Sequence, residues 1–569
     1  MVTFGNGGKY PARVAWCAGA GVCWCGAAVV LLCSLVPLSC SLPDKRSKHL
    51  EGPDPVLHAM VEDARGFIAG PGVRGDTLRL PLFAPPRSWS PFAADAASRT
   101  VAGLLHEPMV ILAPDATLRG GVVERWEGEP HGRTWRVTLR EGVLWSNGSA
   151  VEAADLAWSI ETALRRRYAS LIGESQVSQS DSRTVTVALE RGFPEFGWVL
   201  TAPLLARGVE YPDSGLALPS RTSGPFVAVA PQGSRRFVFV RNEHYWRRDS
   251  QGASLPWFDA VVCAVYDDVN RAHRAFGLGD LDVLPSLEGD REPQEELFTG
   301  EYALYNLGPS HAQLLVFNAS STSPFRPRMG DAPFRAALQA LFDHESIARD
   351  VYAGQGGVVV PGYRGGIDCR TWQQGWEDDA DSAAAQFAAQ GLNGTASAGV
   401  RVDNKGNRLA LRVLAAGRSA LTTALAQRAA AGGVALEVVD ISPGEHRCAL
   451  QEPDSLWDAV LVSVVSDPGA LALPLLLRTP FPFLDGFEWL TPEIDSLLDV
   501  LVHDPDASRR QAARCSLLAA VPRSFPALLL PAPDRTVLIA QRIGNVSPSP
   551  TLGVLHNLAE LYALPRGEY

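Results

Sequence analysis

"LREGVLWSNGSAVEAADLAWSIETAL", residues 139–164, reads as the end of a strand, a turn and a helix. Just upstream and into it, Trp135, Val137 and Leu139 alternate as one face of a half-buried strand does, and the adjacent Asn147 and Gly148 mark a turn. Leu156, Ile160 and Leu164 then recur at helical spacing. No nucleophile, base or metal cluster accompanies these residues, so the stretch reads as scaffold. Asn147 and Gly148 suit the positive-φ backbone that hairpin turns need, and Asp155, one turn into the helix, favours the positive end of its dipole.

A chain of 569 residues with 46% hydrophobic residues exceeds one ordinary core, so two or three globular domains are expected. A formal net charge of -11 argues against nucleic acid as a partner, because that affinity depends on clustered Lys and Arg that release counterions.

The N-terminus carries the compartment signal. Lys9 and Arg13 precede a largely apolar, uncharged run over residues 14–38, and then come Ser39, Cys40 and polar sequence. This layout resembles a bacterial lipoprotein signal, which implies that Cys40 becomes the acylated first residue of the mature chain. Pro37 departs from the aliphatic residue usual three places before that cysteine. The competing reading is an uncleaved anchor, since the run reaches the ~20 residues that a spanning helix needs. Both put the body outside the cytoplasm and tie it to a membrane. Of the nine cysteines, only Cys263, Cys369, Cys448 and Cys515 lie in the body. They lack paired C-x-x-C spacing, so no zinc site is expected, and one disulfide of undetermined pairing is allowed.

Along the body, strands and helices alternate without repeats. Residues 332–354 read as one helix, 408–414 and 434–439 as strands about a helix at 419–431, 457–465 as a strand, 492–521 as a helix pair and 525–540 as a returning strand. Such alternation in discontinuous pieces predicts two α/β lobes joined by crossing strands.

A series of phrases then resembles one family. "VVERWEGEPHGRTWRVTLREGVLWSNG" (122–148) is similar to A-x-x-W followed by W-x-F-x-L-R-x-G-V-x-F-x-D-G, "TSGPF" (222–226) to G-T-G-P-Y, "VRNEHYW" (240–246) to R-N-x-x-Y-W, and "LGDLDVL" (278–284) to x-G-x-I-D-x. "VFNASSTSPF" (316–325), "PFRAALQALFDHESIARDVYAG" (333–354) and the segment from 488 to 531 continue the order. Together they resemble the extracytoplasmic solute-binding proteins of peptide-type ABC importers, the peptide and nickel group called family 5. Glu152 stands where that family usually has a capping Thr, which implies a weaker cap.

The resemblance implies a periplasmic-binding-protein-like α/β fold of type II, in the large peptide-binding variant with an extra α/β subdomain. The expected division is a leader (1–39), a tether (40–76), lobe I (77–100, 200–318 and 525–569), an additional subdomain within it (101–199), and lobe II (319–524). It implies non-catalytic capture of a solute, foremost oligopeptides, by a monomer that delivers it to a permease and an ATPase on separate chains. Nickel chelates, oligosaccharides or opines are the alternative solutes, and a sensor or adhesin derived from the fold is an alternative role.

An enzyme is disfavoured, because no G-x-S-x-G elbow, phosphate loop or H-E-x-x-H occurs. No cofactor is expected, and no His pair favours nickel. The resemblance places the ligand along residues 458–468, "DAVLVSVVSDP", with Ser463, Val464, Val465 and Asp467 as the binding residues. Relatives commonly carry G-W-x-x-D-x-x-D-P there, whose first Asp meets a peptide ammonium. Aligned on Asp467 and Pro468, that Asp falls on Val464. Either Asp467 takes over the ammonium, a neighbouring loop supplies the charge, or the ligand has no free amine there; the structural reading of Asp467 is a helix cap before Pro468.

Overall fold

The computed structural model describes residues 73–564, apart from 94, 116, 210, 212–214, 230–232, 234, 286–301, 310, 360–379, 397–398, 418, 452–455, 466–476, 479–483, 485–486, 488 and 551. The leader, Cys40 and Asp467 lie outside the described residues. Among the described residues, no helix is long and apolar enough to cross a membrane.

The chain opens with β1 (Thr77–Leu82) and α1 (Ala96–Leu105). A contiguous unit follows, with β2 (Val123–Gly128), β3 (Thr134–Leu139), α2 (Ala153–Ala163), β4 (Ser175–Gln179) and β5 (Thr184–Leu189). Its four strands form an antiparallel sheet in the order β2-β3-β5-β4. Val137, Leu139, Val185 and Val187 from the sheet, and Leu156 and Ile160 from α2, enclose a core with Trp145.

The opening stretch is a fastening within this unit. Gly148 holds φ +80°, and the Asn147 side chain accepts the Ser149 N–H at 3.1 Å. A Cβ on Gly148 would also meet His244 at 3.1 Å, so the glycine answers both backbone and packing. The buried Asp155 completes a capping box with Glu152: its carboxylate accepts the Glu152 N–H (3.1 Å), and also the Trp145 Nε1–H (3.2 Å) and the Arg207 N–H (2.9 Å). The weak cap expected at position 152 is thus offset by the carboxylate three residues on.

β6 (Phe226–Ala228), β7 (Arg236–Arg241) and β8 (Ala260–Val265) join β1 in a second sheet of order β1-β8-β7-β6, in which β1 runs parallel to β8. The third sheet begins with β9 (Val283–Pro285), β10 (Tyr302–Pro309) and β11 (His311–Phe317). Next come α3 (Ala332–Gln339), α4 (His344–Tyr352) and β12 (Gly356–Val358). The single helix expected over 332–354 is therefore two. Asp343 ends the first by capping the second, accepting the Ser346 N–H at 3.2 Å.

β13 (Ala410–Ala415), α5 (Ala420–Ala431), β14 (Ala435–Asp440), α6 (Pro443–Gln451), β15 (Ala459–Val465), α7 (Pro492–His503), α8 (Ala507–Ser524) and β16 (Ala527–Ala540) complete the order. The third sheet runs β9-β16-β11-β15-β13-β14, with β10 and β12 also pairing β16. β16 is the crossing strand: residues 527–530 pair with β11, 531–533 with β12 and 534–540 with β10. β10 and β11 cross beside it on either side of residue 310.

The phrases "TSGPF" and "VRNEHYW" converge with Glu107 on buried polar groups. Glu107, 5% exposed, accepts the Tyr245 hydroxyl at 2.8 Å, its N–H donates to Ser223 (3.0 Å), and Asn242 donates to the Gly224 carbonyl (2.8 Å). Burial raises the Glu107 pKa from 4.5 to about 7 against the opposing pull of Arg247 and the Tyr245 hydrogen bond. A folded pKa above the unfolded one means the contribution is fully present below pH 4.5 and is lost as pH rises towards 7. At about 1.4 kcal/mol per pKa unit, wild type should lose about 3 kcal/mol relative to Glu107→Gln across that window. Denaturant midpoints of both proteins at acidic and mildly alkaline pH check this; a constant difference refutes it.

Candidate functional site

β15 lies between β11 and β13, and its start is pinned by Asp458. The Asp458 carboxylate accepts the Arg412 N–H at 2.7 Å and the Ser321 hydroxyl, and its carbonyl accepts the Asn318 N–H at 2.9 Å. This last bond sets the parity of the ladder. In an antiparallel pair, opposed residues alternate between exchanging both hydrogen bonds and exchanging none. With Asn318 opposite Asp458, the residues bonded to β11 are Val460, Val462 and Val464, opposite Val316, Leu314 and Ala312. The backbone groups of Leu461, Ser463 and Val465 point to the other edge.

That edge is only partly used. β13 pairs with β15 at Ala459 and Val460. The Leu461 carbonyl accepts from Nε2 of the buried His446, on α6, at 2.9 Å. Ser463 and Val465 lie beyond the last β13 pairing, and among the described residues nothing pairs with their outward N–H and C=O groups.

Side chains divide along the same alternation. Val464 is 5% exposed and packs with Val460 and Val462 against α7 and α8, so it belongs to the core. What it offers a neighbour is backbone. Ser463 points to the opposite face, where its hydroxyl donates to Gln313 Oε1 at 2.7 Å. Gln313 is itself 8% exposed, and its Nε2 hydrogens have no partner among the described residues. Of the four residues expected to bind, Ser463, Val464 and Val465 thus sit together at the end of β15. Asp467 lies two residues past that end.

Sequence reading missed Gln313 and His446. A glutamine directly before the apolar run "LLVF" of β11 was the available signal for Gln313. Nothing local distinguishes His446, because its partner comes from another element.

Among the described residues no group of three or more His, Cys, Asp or Glu side chains could hold a metal ion. Cys515 is disulfide-bonded, and Cys263 is a buried free thiol.

Among the described residues, the end of β15 thus presents unpaired backbone on one edge and the Ser463–Gln313 hydrogen bond on one face. Residues 117–470 match the family described as bacterial extracellular solute-binding proteins, family 5 Middle, and the chain belongs to that family. It is 27% identical over 198 residues to the nickel-binding periplasmic protein of Escherichia coli, covering 33% of this chain and 36% of that one. It is 24% identical over 382 residues to the oligopeptide-binding protein OppA of Bacillus subtilis, covering 59% and 67%. Against the first of these relatives, the match thus spans about a third of the relative's length. Among solved structures, NikA from Brucella suis in complex with Fe(III)-EDTA superposes with a TM-score of 0.70 at 16% identity, covering 86% of this chain and 100% of that one. AppA from Bacillus subtilis in complex with a nonapeptide gives 0.67 at 15%, covering 87% and 100%. The shared fold is two-lobed, as the alternation of strands and helices predicted.

Proposed function

We propose that this protein captures an oligopeptide outside the cytoplasm, between two lobes, and delivers it to an ABC permease whose ATPase is a separate chain. The observation that carries the reading is the open edge at Ser463 and Val465. An extended main chain laid there completes a ladder, which gives affinity without reading side chains. The oligopeptide- and nonapeptide-binding relatives agree with this choice. A non-peptide solute is the second reading, favoured by the core position of Val464, where no carboxylate meets an ammonium, and by neighbours solved with Fe(III)-EDTA and stachyose.

The lobes are proposed as 77–100, 200–318 and 525–569 for lobe I with the 101–199 subdomain, and 319–524 for lobe II. β10, β11 and β16 carry the chain between them. We also propose a lipid anchor on Cys40 and a monomeric state. Native mass spectrometry of gently purified protein tests both ligand and anchor. A ladder of peptide masses on a chain that begins at acylated Cys40 is expected. A single non-peptide adduct overturns the peptide reading, and an unmodified residue 40 overturns the anchor.

A proline scan tests the edge. Ser463→Pro removes an N–H that the ladder does not use, and an edge tolerates proline on its outward side. It should fold, yet bind peptides more weakly by about 1–3 kcal/mol, the cost of leaving a buried acceptor unmet. Val464→Pro removes a ladder bond to β11 and should fold poorly. Equal peptide affinity in wild type and folded Ser463→Pro would rule out strand addition.

A further inference from the structure

A second junction links the contiguous unit to the helices of the third sheet, away from the crossing strands. The turn after β5 meets α7 and α8. Arg191 pairs with Asp499, the Gly192 carbonyl accepts from His503 Nδ1 at 2.6 Å, and Glu195 lies 3.3 Å from Arg510 and 3.8 Å from Arg514. Arg478 braces the same helix through Asp495 (2.9 Å) and Asp499 (3.8 Å).

An apolar pin passes through the middle. Val502, on α7, is 1% exposed and is counted in the core of the β2–β5 unit rather than in the core over β15 that holds Leu498 and Leu501. Glu195, Arg510 and Arg514 are mostly covered, at 19%, 11% and 12% side-chain exposure, whereas Arg191 and Asp499 are at 37% and 50%. The result is a buried aliphatic contact with ion pairs around it, and such a ring excludes water from the pin it surrounds.

We propose that this junction is the latch of the closed form, resting on the two-lobe reading above. Swinging the lobes apart about β10, β11 and β16 must withdraw Val502 from the first unit and part Glu195 from Arg510 and Arg514. Charge at Glu195 and Arg191 then sets the balance between open and closed protein before any solute arrives. Because the outer pair is exposed, salt weakens it, and the solute-free protein opens as ionic strength rises. A closed fraction that exists without solute also raises apparent affinity, since less has to be reorganised on binding.

The test uses the full chain without added solute, by hydrogen exchange and solution scattering together. In about 0.1 M salt, residues 190–196 and 498–514 should exchange slowly. Glu195→Arg should speed both segments together by about fivefold and enlarge the radius of gyration, with the same direction in wild type at about 1 M salt, where the screening length falls from about 10 Å to about 3 Å. Arg510→Glu added to Glu195→Arg should restore both values.

Unchanged protection in the variant, or faster exchange at constant radius, overturns the latch. Should Glu195→Arg not fold, the salt series on wild type decides alone, and a salt-insensitive radius overturns it. A mixture of tri- to pentapeptides separates this from the underlying reading. Shrinkage with peptides beside a radius indifferent to salt and to Glu195→Arg removes only the latch. No shrinkage with any solute that binds removes lobe closure itself.

Discussion

Asp282→Ala should cost about 3–5 kcal/mol of stability, the range for removing one partner of a buried ion pair. Asp282 is 0% exposed. Its carboxylate accepts the Arg79 N–H (2.7 Å), Nε (3.1 Å) and Nη2 (3.0 Å), and the Arg542 Nε (2.7 Å) and Nη2 (2.6 Å). Alanine leaves two guanidinium groups facing each other with no anion between them. The control is Asp76, which meets the same Arg542 at 2.8 Å but has 55% side-chain exposure. Its solvated pair is worth about 0–1 kcal/mol. Urea unfolding of both variants separates the cases, and an Asp282→Ala protein within about 1 kcal/mol of wild type would refute the buried-charge argument.

Asp467→Asn is the corresponding prediction for binding. Asparagine caps a helix as well as aspartate does, so if Asp467 is a cap before Pro468, stability should change by less than the roughly 0.5–2 kcal/mol that loss of a cap brings. If Asp467 holds a peptide ammonium, the same change should weaken binding of free peptides by about 2–5 kcal/mol, because the ligand charge would be enclosed unpaired. Peptides with acetylated N-termini should be indifferent to it. Equal affinity of wild type for both peptide forms excludes an ammonium site, and unchanged affinity in the variant assigns Asp467 to capping alone.

Much of this architecture is legible locally. Alternation in "TWRVTL", periodicity in α2 and the helix pair α7 and α8 depend on near neighbours, and the returning strand β16 declares itself by the apolar runs ALLL and VLIA at its two ends. The break between α3 and α4 is harder, since apolar spacing runs through it and only the Asp343 cap opposes that spacing. Asp282 is visible as a phrase, but its partners at 79 and 542 are not, because a carboxylate does not announce which distant guanidinium will reach it. The open edge is the least legible feature. Whether Ser463 or Val464 turns its N–H outward follows from the bond between Asn318 and Asp458, and a one-residue shift of that register would reverse every assignment.

The Asp282 clamp also bears on when the protein becomes itself. β1 emerges early from the ribosome, but its sheet neighbour begins at Ala260, its anion is Asp282, and the second guanidinium on that anion is Arg542. The antiparallel unit from β2 to β5 is made of one uninterrupted length of chain and can form as soon as it is synthesised, whereas pairings far apart in sequence must wait. Until residue 542 exists, Leu78 and Leu80 have apolar surface without a finished home, and the nascent chain is vulnerable there to aggregation or capture by chaperones. A stop codon shortly before Arg542 would therefore forfeit the oldest strand of the chain, not merely its newest residues.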